Sequence, residues 1–206
     1  MHPNPVYHTA DATQNLRFAR DRGFGVLAVS GGADGLPLLA HVPFVLDADG
    51  SGADLHLVRS NPIARALTEP RPARIAVSGP DAYVSPDWYG IADQVPTWNY
   101  IAVHLTGFLE LRPQTELRDL LDRQSAFFET QLAPKPAWTL AKTDPAAAER
   151  MMRMILPCRF RITDVDGTWK LSQNKPDVAR EGAAGGVVAA GIGSDTAGLA
   201  ALMRDA

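Results

Sequence analysis

The sequence predicts a mainly β fold with helices (α+β), arranged as an antiparallel barrel with helical decoration. Three observations lead there. Six or seven β-rich runs follow one another, most of their connections are turn-length, and helices do not alternate with strands as a βαβ fold would require. At 206 residues the chain reads as a single domain, residues 1–206, with a helical C-terminal segment over about 176–206. Such a domain buries roughly 70% of its unfolded surface.

Asp11 to Arg20 reads as a short N-terminal helix capped by Asp11 and ended by Gly23. Phe24–Ser30 and Leu36–Leu46 are β-rich and are joined by Gly31-Gly32-Ala33-Asp34-Gly35, which predicts a hairpin. His41 alternates away from Val42 and Phe44, toward solvent or a site. A turn over 47–52 leads to a third strand, Ala53–Arg59. Asn61 as a cap and Pro62 at the first helical position then open a short helix to about Leu67. Arg74–Ser78 is a fourth strand that Gly79-Pro80 should bend before Ala82–Ser85 continues extended and Pro86 stops it.

Tyr100–Leu111 is the clearest strand, because Ile101, Val103 and Leu105 alternate with Tyr100, Ala102, His104 and Thr106. Glu116–Gln131 and Pro145–Ile155 are helical by composition, separated by Pro134-Lys135-Pro136. Arg159–Val165 and Thr168–Leu171 predict a last hairpin around Asp166-Gly167. Pro176–Ala190 and Thr196–Arg204 are helices whose glycines make them marginal alone, so they should dock on something.

Hydrophobic residues at 46% and charged residues at 21% describe a soluble globular chain. No apolar run reaches the roughly 20 residues that span a bilayer. The start, MHPNPVYHTADATQ, does not read as a signal peptide. Cys158 is the only cysteine, which excludes an internal disulfide and a paired-cysteine zinc site and points to the cytoplasm. A net charge of -3 and a pI near 5.9 give no electrostatic reason to bind DNA. The five histidines lack metal-site spacing, so no metal is expected. Common nucleotide-binding glycine motifs and nucleophile motifs are absent.

Residues Gly79 to Gly107 hold two of the four tryptophans and three of the four tyrosines, in a chain that is 7% aromatic. Rings concentrated this way fill a core, form an interface or stack on a planar ligand. Arg59-Ser60-Asn61-Pro62 sets a cation, a hydroxyl and an amide at a helix start, either a phosphate seat or an ordinary capped helix with a surface arginine. Lys170-Leu171-Ser172-Gln173-Asn174-Lys175-Pro176 again leaves a strand for a helix. It is either a solvated connection or a set of amides and cations suited to a heterocycle edge. One seat is too weak alone: a helix terminus contributes up to about 2 kcal/mol and a charge-assisted hydrogen bond about 1.5–3. Micromolar binding needs about 8 kcal/mol.

HLVRSNP (56–62), GPDAYVSPDWY (79–89), VPTWNYIAVHLTG (95–107) and KLSQNKP (170–176) together resemble the PaiB-type FMN-binding negative transcriptional regulators. With weaker similarity in between, the resemblance spans about residues 1–190. It implies an FMN-binding split β-barrel that works as a homodimer, with flavin near the subunit boundary. By that likeness Arg59, Ser60 and Asn61 form the phosphate seat, and Lys170, Ser172, Gln173 and Asn174 form a second cluster around the flavin. Trp98 and Asn99 are then ring-side residues, with Tyr83 and Trp88 as further candidates. The chain departs from the family at His2, where a tyrosine is common, and at Ala179, where an acidic residue often precedes Arg180. His56 is a weaker candidate than Arg59, because on a regular strand it faces the other way. Two function classes follow: a flavin-binding regulator, acting on DNA or through a DNA-binding partner, and a flavin-dependent oxidoreductase. No residue stands out as a general acid or base, although His104 shares a face with Tyr100.

Overall fold

The computed structural model describes residues 1–31 and 35–206. Its elements run α1 (Ala12–Arg22), β1 (Phe24–Val29), β2 (Leu38–Leu46), β3 (Gly52–Val58), α2 (Pro62–Ala66), β4 (Arg71–Val84) and β5 (Thr97–Leu111). They continue with α3 (Leu117–Glu129), α4 (Pro145–Met152), β6 (Ile155–Lys170), α5 (Asp177–Ala190), β7 (Gly193–Ser194) and α6 (Thr196–Arg204). The strands form one antiparallel-paired sheet in the order β1-β2-β3-β6-β5-β4-β7, and β1 also pairs with β4. The architecture is the expected α+β split barrel. The hairpin turn expected over residues 31–35 includes 32–34, which lie outside the described residues.

The chain divides into two compact units. The first holds Met1–Phe18, Val77–His104 and Asp166–Ala206; the second holds Ala19–Ala76 and Leu105–Val165.

In the second unit β1 pairs with β2 from Phe24↔Pro43 to Val29↔Leu38, and β3 pairs with β6 from Gly52↔Arg161 to Val58↔Ile155. The period-2 pattern read from the sequence sends Leu27, Val29, Phe44, Leu55, Ile75, Leu105 and Phe160 inside, all fully buried. Each such side chain contributes about 1.5–3 kcal/mol relative to exposure. Helix α3 buries Leu117, Leu120 and Gln124, an i, i+3, i+7 stripe. Its outer face carries the Arg118–Asp122 and Arg123–Asp119 pairs. Asn61 caps α2 by accepting from the Ile63 N–H at 2.9 Å, as its position before Pro62 predicts.

In the first unit α5 and α6 pack together through Ala183, Ala184, Val187, Leu199, Ala200 and Met203, in one cluster with Val84, Ile101 and Trp169. Two of the three α5 glycines find their reason here: a Cβ on Gly186 would lie 2.2 Å from the Trp88 ring, and one on Gly182 would lie 2.5 Å from the Trp88 carbonyl oxygen. A short pairing of β7 with Asp81 and Ala82 of β4 completes this unit.

One expected break does not occur. No hairpin forms around Asp166-Gly167, since β6 runs unbroken from Ile155 to Lys170. The chain continues extended past Gly79-Pro80, as expected, with β4 running from Arg71 to Val84. Both glycines serve close approach. A Cβ on Gly167 would fall 2.0 Å from Asn15 Oδ1, and one on Gly79 would fall 2.6 Å from the Phe18 ring. Asn15 and Phe18 are one helical turn apart on α1, so α1 lays one face on two side-chain-free strand positions.

Candidate functional site

A cavity of about 190 Å³ in the first unit gathers the richest set of polar groups. Its walls come from Tyr7 in the N-terminal turn, Tyr89, Asp93, Gln94 and Val95 before β5, Thr97 and Asn99 on β5, Lys170 at the end of β6, and Ser172, Asn174 and Lys175 after it. Alternation along β5 decides which of its residues face inward. Asn99 is fully buried, whereas Trp98, on the other face of the strand, is 42% exposed. Trp98 donates from Nε1 to Asp81 at 3.1 Å and meets Tyr83 edge-on, which in turn meets Trp88 edge-on.

Ser172 is the hub. Its backbone has φ of 62°, in the left-handed region that a serine enters at a cost of about 1–3 kcal/mol. The turn is closed by the Lys175 N–H donating to the Ser172 carbonyl at 2.9 Å. Its hydroxyl accepts from Asn99 Nδ2 at 2.8 Å and shares a hydrogen bond with the Tyr89 hydroxyl, also at 2.8 Å. Asn99 Oδ1 is left buried without a partner.

Two cations line the same walls. The Lys170 ammonium donates to the Thr97 hydroxyl and lies 5.7 Å from the Tyr7 ring centre. The Lys175 ammonium donates to the Gln94 amide oxygen and lies 5.5 Å from the Tyr89 ring centre. Neither lysine has an ion pair among the described residues. Burial lowers the Lys170 pKa and raises those of Tyr7 and Tyr89. The donor set, with its hydroxyls, amides and two unpaired ammonium groups beside an orphaned acceptor, fits the polar edge of a flavin or its phosphate.

Lys170, Ser172, Asn174 and Asn99 therefore come together, as the motif resemblance implies. Gln173 does not join them. Its Nε2 donates to the Val6 and Trp169 carbonyls and its Oε1 accepts from the Leu171 N–H, so it ties the N-terminal turn to β6 and borders an apolar cavity instead. Arg59, Ser60 and Asn61 lie in the second unit. There the Arg59 guanidinium donates to the Arg153 carbonyl and to Gln114, each at 3.1 Å. Ser60 is exposed, and the Asn61 side chain is committed to capping α2. Tyr7, Tyr89, Thr97 and Lys175 were not singled out from the sequence. Tyr89 and Lys175 do sit inside the GPDAYVSPDWY and KLSQNKP motifs, which was the available signal.

The two positions that depart from the family pattern are accommodated locally. His2 packs edge-on against Tyr7 at 4.7 Å, and Ala179 is buried. Arg180 pairs with Asp177 at 3.1 Å, one turn back on α5, so its counter-ion comes from another position.

A larger cavity of about 440 Å³ in the second unit is lined by Asp54, Glu110, Arg112, Glu116, Arg159 and Arg161. Its charges largely satisfy one another: Arg159 pairs with Asp47 and Asp54, and Arg112 with Glu110 and Glu116. It offers a ligand less than the smaller cavity does.

Comparison with known proteins agrees with the fold. Residues 1–164 match the family model described as "Putative FMN-binding domain". The protease synthase and sporulation protein PAI 2 of Bacillus subtilis is 27% identical over 177 residues, covering 85% of this chain and 83% of that protein. The fold is similar to that of an FAD- and haem-binding protein from Mycobacterium smegmatis, with a TM-score of 0.57 and 19% identity over 90% of this chain and 81% of that one. It is also similar to that of the flavocytochrome Anf3 from Azotobacter vinelandii, with a TM-score of 0.53 and 16% identity over 82% and 72% of the two chains.

Proposed function

Because this chain belongs to the FMN-binding domain family, of PaiB type, we propose that it is a flavin-binding regulatory protein acting as a homodimer. The observation that carries the reading is the first-unit cavity, lined by two lysines with no ion pair among the described residues and by Asn99, whose Oδ1 is buried without a partner there. Lys170, Ser172, Asn174 and Asn99 hold part of the flavin, and Gln173 supports them by fixing the turn. Trp98, on the opposite face of β5, is a ring-side group for the flavin of the other copy in the homodimer. Arg59 and Ser60 form the phosphate seat, with Asn61 shaping it through its cap. Bound FMN would supply the redox chemistry; the protein supplies binding, orientation and charge.

Cavity size supports the dimer. About 190 Å³ is below the roughly 300–1,000 Å³ of a pocket that encloses a whole ligand. Val95 on the cavity wall is 72% exposed, so a second copy of the chain has apolar surface to cover there. A regulatory role accords with the sporulation-related name of the Bacillus relative, and a net charge of -3 favours action through a DNA-binding partner over direct contact.

A second reading, a flavin-dependent oxidoreductase, is favoured by Lys170, a desolvated ammonium in the same cavity able to hand over a proton at Nζ. NADH or NADPH oxidation by FMN-loaded protein separates the two: turnover above buffer supports the enzyme, and none supports the regulator. Fluorescence titration with FMN tests the phosphate seat. Arg59→Ala should weaken binding about tenfold or more, from the loss of one charge-assisted bond. Equal affinity would reject that assignment.

A further inference from the structure

The orientation of the Asn99 amide is fixed by its neighbours. One end approaches Ser172 Oγ at 2.8 Å and Met203 Sδ at 3.5 Å. A thioether sulfur only accepts, so that end is the NH2 group, and the carbonyl oxygen is the atom left without a partner. Asn99 is fully buried and lines the cavity, so no exposed rotamer relieves its oxygen. A buried acceptor in this state calls for a ligand that brings a hydrogen-bond donor.

Lys170 and Lys175 line the same cavity, and each uses only one of its three ammonium protons on the protein, at Thr97 and Gln94. The cavity thus offers cationic donors together with acceptors, the Asp93 carboxylate on its wall and the orphaned Asn99 Oδ1. Its complement carries carbonyl acceptors around an N–H, the pattern of a cyclic imide. A phosphate dianion presents acceptors only and leaves Asn99 Oδ1 unrelieved. The small volume suits an edge better than a whole ring system.

We propose that this cavity reads the imide edge of the flavin, with Asn99 Oδ1 accepting the ring N–H and Lys170 and Lys175 donating to the flanking carbonyls. The inference rests on the flavin-binding reading above and assigns the ring, not the phosphate, to this cavity. It also makes Asn99 the residue that discriminates an imide from an otherwise similar ring lacking the N–H.

The test uses full-length protein and three probes: FMN, lumiflavin and lumiflavin methylated at the imide nitrogen. Wild type should bind lumiflavin about tenfold or more tightly than the methylated ring. Asn99→Leu should bind the two about equally, whereas Asn99→Asp, which keeps an acceptor, should retain the preference. Equal binding of the two rings by wild type overturns the inference while FMN binding still upholds the flavin reading. A preference that survives in Asn99→Leu also overturns it, because another group then reads the N–H. Failure of wild type to bind any of the three sinks both. If Asn99→Leu does not fold, judged by its thermal melt, the wild-type ratio decides alone.

Discussion

Gly167→Ala tests the unbroken course of β6, and its cost can be worked from the packing of α1. The new methyl would stand 2.0 Å from Asn15 Oδ1 and 2.5 Å from its Cγ, so Asn15 must move. Asn15 is buried and its Oδ1 accepts the Trp169 indole N–H at 2.8 Å. Stripping that buried donor costs about 1–3 kcal/mol, and forcing a methyl into a filled site costs about 1–3 more. The sum, about 2–6 kcal/mol, lowers Tm by roughly 2–4 °C per kcal/mol in a chain of this size. The assay is urea and thermal unfolding of Gly167→Ala in the wild-type and Asn15→Ala backgrounds. With Asn15 already truncated, the added methyl should cost less than about 1 kcal/mol. An equal cost in both backgrounds would refute the reasoning, since that is how a turn glycine forced into a left-handed conformation behaves.

Further expectations follow from buried titratable groups. Cys158 is fully buried and its thiol is pushed up to about 12, so thiol reagents should label it only as fast as the protein opens; rapid labelling in native buffer would contradict this burial. His56 has its pKa lowered, chiefly by desolvation and partly countered by the neighbouring Gln124 side chain. The unfolded chain therefore takes up the proton first as pH falls below about 6.5, and stability declines from there toward the folded-state pKa. His56→Gln should flatten the stability-against-pH curve below about pH 6.5, and an unchanged slope in urea titrations would remove His56 as its source.

Much of this fold is written in local pattern. The alternation of Ile101, Val103 and Leu105 gives β5 and its buried face, and the Asn61-Pro62 pair gives α2 with its cap. Asp166-Gly167 misleads because turn propensity is local, whereas the reason for this glycine, as for Gly79, is a side chain of α1 far away in sequence. The division into two units is likewise invisible in a chain whose long strands contribute residues to both. The KLSQNKP motif pointed to Lys170, Ser172 and Asn174 together, and the structure adds what spacing cannot reveal. Tyr7 and Tyr89 each underlie a lysine, and Gln173 is spent on backbone groups. Trp98 and Asn99 are adjacent in sequence, yet the strand separates them by face. Period-2 reasoning predicts that much, but it does not say which face holds the cavity.

Binding of FMN to the wild-type protein tests the central claim most directly. Purified protein incubated with FMN and passed through a desalting column should retain the flavin absorption band, and titration should quench FMN fluorescence to saturation at about one flavin per chain. Lys170→Met should weaken that binding by about tenfold to a hundredfold, the loss expected for one charge-assisted bond of about 1.5–3 kcal/mol. Protein that emerges from the column colourless, with no saturable quenching, would contradict the account.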